Sequence, residues 1–382
     1  MTNVEFKGIT FLVLFASLLL SSCGNSSGSG RGQTQPLPKI GTLIGSDFAG
    51  AGSIDVMTIL SDGSVESVPG SPFAANGPAD AVVASASSNL VFVASSTGLL
   101  NGSLSAFTIS ANGALSSMGP PTTTGIVEPL TLSLTSNGSF LLVGNGNFSP
   151  VIFSVNTTTG SVSELTNLGA TGPSTFSPDG KLILFVDGSQ LNSYSFNGST
   201  DIATLISSAY DFFETIPTPP IVHPSVKFVY VPYSPQMTTG VPPPGGIAAF
   251  ALATDGTLSA IPGTPFASGI NFGSSAGTGF SAAVIDPTGT HLYAESATSV
   301  YGFAIDSNSG VLTPIAGANP FDVDVGVGTH LGLVFDSSGR YLFVSRLGAI
   351  WSYSIASDGL PKLVPGSPFA VGGEVTSLVA LP

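Results

Sequence analysis

Six times along the chain a short apolar run gives way to a polar turn and then to a second apolar run: AVVASASSNLVFVA, LSLTSNGSFLLVG, STFSPDGKLILFV, IVHPSVKFVYVP, AVIDPTGTHLYAE and LVFDSSGRYLFVS. The runs alternate as half-buried strands do, and the turns are rich in Asn, Asp, Gly, Pro and Ser, so each segment is expected to be a β-hairpin. The first residues of the second runs are Leu90, Phe140, Leu182, Phe228, His291 and Tyr341, which lie 42 to 63 residues apart. After each hairpin comes a third apolar run, such as SLSAFTIS, VYGFAID or IWSYSI, then a Gly-containing turn and a fourth run. Four strands in about 50 residues is the repeat length of a β-propeller blade.

A second repeated element punctuates the first. VPGSPFA stands at Val68–Ala74 and again at Val364–Ala370, with looser copies IPGTPFA from Ile261 and IAGANPF from Ile315. The two ends of the chain are each incomplete: IGTLIGSDF, from Ile40, reads as a second strand without a first, and EVTSLVALP, at the C-terminus, as a first strand without a second. Joining them gives six complete blades and one shared blade. The expectation is an all-β, seven-bladed β-propeller with four-stranded blades over residues 40–382, closed by the C-terminal strand joining the N-terminal blade, a ring that leaves no edge open in the direction of closure. The two identical heptapeptides then belong to neighbouring blades, the first and the seventh.

Composition narrows the classes of function. Only 8% of residues are charged, while Gly (48) and Pro (29) are abundant, as short strands and many turns require. The net charge is −14 with eight scattered Lys and Arg, so there is no basic stripe to neutralise a phosphate backbone, and nucleic acid is not expected as a partner.

The N-terminus changes the picture again. Lys7 precedes the run ITFLVLFASLLL, too short to span a bilayer as a stable helix but suited to the apolar core of a secretory signal. Leu20, Ser21, Ser22 and Cys23 follow and resemble a bacterial lipobox, and Cys23 is the single cysteine. The resemblance implies a lipoprotein signal peptide over 1–22, a lipidated Cys23, and a Gly/Ser-rich flexible tether over 23–39 that hangs the folded part, as a monomer, from a membrane of the cell envelope. Gly24, where an inner-membrane retention signal would have Asp, points to the outer membrane in a Gram-negative source.

The units IDPTGTHLYAESATSVYGFAIDSNSGVLTPIAGANPF and FDSSGRYLFVSRLGAIWSYSIASDGLPKLVPGSPF resemble the repeat of seven-bladed propellers of the lactonase and YVTN-repeat kind. The resemblance is specific for the fold and covers about residues 40–382; it implies lactone hydrolysis of the 6-phosphogluconolactonase type only as one possibility, because propeller folds host many functions. The lone tryptophan, Trp351, argues against tryptophan-docked quinoprotein propellers.

Candidate chemistry follows from hairpin register. His330, opening the inner strand of the seventh blade, is expected beside Ser345 and Arg346 at the mouth of the central channel, a base and a cation suited to ring opening of a lactone. Asp47, Asp187 and Glu295 end second strands and Asp80 and Glu128 begin inner strands, so these acids are expected to ring the same opening as ligand-binding groups. His223 and His291 read as exposed turn residues. Asp322 and Asp324 form an interblade DVD, although no metal site or cofactor is called for. Two long insertions in the fifth blade, PQMTTGVPPPGG and ASGINFGSSAGTG, are expected to rise over the mouth. The primary expectation is a binding or scaffolding module for a carbohydrate or protein ligand, with a lactonase-like hydrolase as the alternative.

Overall fold

The structure, a computed structural model, describes residues 36–382 apart from 48–51, 97–101, 127–130, 146–147, 170, 188–189, 212–214, 236–244, 268–269, 271–282, 297–298, 322–331 and 347. The signal peptide, Cys23 and most of the tether therefore lie outside the described residues, as do most of the two fifth-blade insertions.

The described strands form seven antiparallel sheets, one per blade. Blade 1 takes its innermost strand, Val375–Leu381, from the C-terminus; this strand pairs with Lys39–Asp47, which pairs with Ser53–Leu60 and then Val65–Ser67. Thr42 stands opposite both Thr58 and Leu381, so the closure expected from the two incomplete ends is what the chain adopts. Blade 5 departs from the simple plan, because its inner strand is split into Thr215–Pro217 and Ile221–Val222 around Thr218, Pro219 and Pro220. Prolines cannot donate to a ladder, and the interruption falls where two occur in succession.

The core is divided among the junctions between blades. Alternate residues of a strand point to opposite faces of its sheet, so each blade supplies one apolar face to each neighbour. In blade 2, Val91 and Val93 pack with Ile54 and Val56 of blade 1, whereas Phe92 and Ala94 pack with Leu141 and Val143 of blade 3. Seven such apolar clusters are present, one at each junction.

Polar latches accompany this packing. The Ser193 hydroxyl of blade 4 donates to the Gly256 carbonyl of blade 5, Tyr230 of blade 5 to Gly310 of blade 6, Tyr293 of blade 6 to Gly359 of blade 7, and Ser352 of blade 7 to Gly63 of blade 1, at 2.5 to 2.8 Å. Each accepting glycine sits in a third-to-fourth-strand turn with φ between 72° and 90°, a conformation glycine adopts without strain.

The repeated PGSPF element has a structural role. In three copies the hydroxyl of Ser71, Thr264 or Ser367 accepts the backbone N–H of Val56, Ala249 or Ser352 on the third strand, at 2.8 to 2.9 Å. The following residues run back along that strand: Phe73 pairs with Ile54 and Phe369 with Ile350. In the looser copy Asn319 instead donates its amide to the carbonyls of Gly302 and Ile315. The element thus satisfies third-strand backbone groups beyond the reach of the three-residue fourth strands.

Candidate functional site

The ends of the second strands and the starts of the inner strands lie on one face of the ring, at the mouth of the channel. Asp47 closes its strand in blade 1, Asp80 is the second residue of the inner strand of blade 2, Asp187 follows Leu182–Val186 in blade 4, and Glu295 and Arg346 end the second strands of blades 6 and 7. Glu128 and His330 lie outside the described residues, as do Asp322 and Asp324.

Among the described residues, one pair of the expected site residues is in direct contact. Arg346 Nη2 donates to Glu295 Oε1 at 2.5 Å, and both side chains are 4% exposed. The hairpin of blade 7 is expected from sequence to set Arg346 beside His330, which lies outside the described residues. In that hairpin the register lies two residues further on: Leu333 opposes Val344, and Ser345 exchanges hydrogen bonds with Gly332. A two-residue displacement preserves the face of the sheet, so Arg346 still turns toward blade 6, where Glu295 meets it. Burial pushes the Glu295 carboxyl up, to about 8, while the charge and hydrogen bond of Arg346 pull the other way.

The other carboxylates are held locally. Asp47 accepts the Ser53 hydroxyl at 3.1 Å, Asp80 accepts the Ser96 hydroxyl, and Asp187 accepts the Gln190 N–H at 2.8 Å, each spanning its own strand end or hairpin. Asp47 and Asp80 are buried rather than gathered at a solvated rim. Asp47, Asp80 and Asp187 thus each have a partner within their own blade, whereas Glu295 reaches Arg346 of the next. Among the described residues no three His, Cys, Asp or Glu come together as a metal-binding cluster.

The two remaining histidines differ from expectation. His223 and His291 are both buried, not exposed. His223 Nδ1 is 2.7 Å from Ser225 Oγ and its Nε2 is 2.8 Å from the Gly289 carbonyl of blade 6; His291 Nδ1 is 3.0 Å from Asp286 Oδ2. A turn of the next blade roofs each ring, Gly289 over His223 and Gly359 over His291.

Sequence reasoning placed residues at the mouth of the channel but missed its lining. A cavity of about 390 Å³ opens between the inner strands of blades 1 to 5, lined by Thr131, Ser174, Thr175, Ser377 and the Pro219–Pro220 interruption, with Phe176 beside them. None of its described lining residues carries a charge. The signal for it was present in the Ser/Thr content of the inner-strand runs and in the Pro-Pro pair, but hydroxyl side chains are so common in this chain that they do not stand out.

Asp55 was missed as well. It lies mid-strand between Ile54 and Val56, and its carboxyl is pushed up by burial, lowered by the Gly372 N–H and raised again by Asp47. An acid inside the apolar run SIDVMTIL was the available signal.

Comparison with known proteins agrees with this architecture. The family model for lactonase, a seven-bladed β-propeller, matches residues 53–178. A Bacteroides uniformis protein provisionally assigned as a 6-phosphogluconolactonase superimposes with a TM-score of 0.70 at 19% identity, over 90% of this chain and 99% of that one. The periplasmic gluconolactonase of Pseudomonas aeruginosa superimposes with a TM-score of 0.69 at 17% identity, over 90% and 99%. A Lactobacillus plantarum protein superimposes with a TM-score of 0.70 at 12% identity, over 90% and 100%. No protein with a curated description matches the chain.

Proposed function

We propose that this lactonase-like seven-bladed β-propeller is an exported, lipid-anchored binding module whose ligand is an uncharged carbohydrate held in the central channel. The observation that carries the reading is the channel wall, in which Ser and Thr hydroxyls alternate with apolar side chains such as Leu132, Leu134, Phe176 and Ile221, with no charged side chain among its described residues. Such a wall offers donors and acceptors to sugar hydroxyls and nothing to compensate a phosphate. The one arginine at the mouth is already committed to Glu295, and separating that buried pair to serve an anion would leave a charge uncompensated. The lipobox supplies the anchoring half of the reading.

A second reading is hydrolysis of an unphosphorylated sugar lactone. It is favoured by the fold shared with a periplasmic gluconolactonase and by the raised carboxyl of Glu295 at the mouth. One experiment separates the two. Titration calorimetry against neutral mono- and oligosaccharides, run beside a gluconolactone hydrolysis assay, is expected to show binding without turnover, and Thr175→Glu to abolish binding with an unchanged Tm. Turnover lost in Glu295→Gln would establish the hydrolase instead; neither binding nor turnover in the wild type removes the channel as the site.

A further inference from the structure

The junction of blades 7 and 1 buries two carboxylates that the channel does not use. Asp47 stands opposite Ser53, and Asp55 opposite Gly45, on adjacent strands of blade 1. Two-residue periodicity places Ser53 and Asp55 on the same face as Met57, and Asp47 on the same face as Leu43; that face packs on Tyr341 and Phe343 of blade 7. The three side chains therefore form one oxygen-bearing patch at the mouth end of the junction. The connection that carries the chain from blade 7 back into blade 1 lies directly over it: the Gly372 N–H donates to Asp55 Oδ1 at 3.2 Å, and a Cβ on Gly373 would fall 1.8 Å from Asp47 Oδ2.

Asp55 is 3% exposed, and its second oxygen, Oδ2, has no hydrogen-bond partner. Among the described residues no Lys, Arg or His forms an ion pair with it. Two buried carboxylates side by side cannot both remain ionised unless a positive charge joins them. A proton on Asp55 Oδ2 would answer the charge but leave the oxygens of the patch ungathered. A cation answers both, because it takes up the lone pairs of Asp47, Asp55 and the Ser53 hydroxyl together.

We infer that Asp47, Ser53 and Asp55 bind a hard divalent cation, calcium in the first instance, which fastens the returning C-terminal segment to blade 1. All the donors are oxygens, which excludes a preference for soft metals. Calcium accepts irregular oxygen sets completed by peptide carbonyls and water, whereas magnesium demands a near-ideal octahedron. Two carboxylates and a hydroxyl match the weak, millimolar class of site found in extracellular modules, where calcium is plentiful.

The test uses the full chain, dialysed against EDTA and then unfolded thermally with and without about 1 mM CaCl2. Calcium is expected to raise the Tm by several degrees, magnesium to do so less, and EDTA to speed hydrogen exchange across Val375–Leu381. Asp55→Asn retains an acceptor for the Gly372 N–H and is expected to be folded but indifferent to calcium. Should that variant fail to fold, Ser53→Ala is expected to weaken the calcium response about tenfold in concentration with folding intact. A wild type whose Tm ignores calcium, with Asp55→Asn equally or more stable at neutral pH, would show that the pair holds a proton and overturn the proposal. A calcium response undiminished in Asp55→Asn or Ser53→Ala would place the ion elsewhere and overturn it too.

Discussion

Asp286 organises the turn between the inner and second strands of blade 6. One of its oxygens accepts the Thr290 N–H at 2.8 Å, and the other accepts the Thr290 hydroxyl and faces His291 Nδ1. Burial opposes ionisation of this carboxyl, but the bonds from His291 and Thr290 outweigh it and hold its pKa at about 2. A carboxyl whose pKa is lower in the folded than in the unfolded chain contributes stability above its unfolded value, near 4, and loses it as pH falls toward 2. Asp286→Asn is expected to cost about 2 kcal/mol at neutral pH and little near pH 2, read from urea midpoints across that range. Tyr293 is a second sensitive residue. Its phenol, fully buried and pushed to a higher pKa by that burial, donates to the Gly359 carbonyl at 2.5 Å. Tyr293→Phe leaves that carbonyl unpaired, and a loss of about 1–2 kcal/mol is expected in denaturant unfolding. An unchanged midpoint would show that the latch is structurally idle.

Among the strands, Val375–Leu381 has the most consequence for its length. It covers Leu43 and Ile44 from the inner side and lies against the inner strand of blade 2, where the Thr376 hydroxyl reaches the carbonyls of Ser46, Ala79 and Asp80. Ending the chain after Gly373 would strip blade 1 of its inner strand and expose an edge bearing unpaired N–H and C=O groups. The truncated protein is expected to elute from size exclusion as aggregates or higher oligomers, or to unfold at a markedly lower temperature; a monomer with the wild-type Tm would contradict this. The hairpins and the missing-strand ends made this closure legible in the chain, because β periodicity and turn chemistry are local properties. What was not legible is what happens between blades. The burial of His223 and His291 comes from Gly289 and Gly359, turns 66 and 68 residues away. Likewise Arg346 of blade 7 meets Glu295 of blade 6, 51 residues distant. Local pattern places a side chain on a face of its sheet but does not say which turn of the neighbour will cover it.

At the scale of the whole molecule the ring behaves as seven similar junctions, each with an apolar cluster and, among the described residues, four of them with a hydroxyl latch running from one blade to the third-to-fourth-strand turn of the next. Those of the expected site residues that are described lie at strand ends with hydrogen-bond partners close by, while the open space lies deeper among the inner strands. The closure has a mechanical corollary. Lys39–Asp47 is hydrogen-bonded along both sides, to Ser53–Leu60 and to Val375–Leu381, and it enters the sheet at the end away from the mouth. A pull transmitted through residues ahead of Leu37 against a load held at the mouth runs along the strand axis. Both ladders are then strained in shear, with their hydrogen bonds sharing the force at once, instead of being peeled open singly.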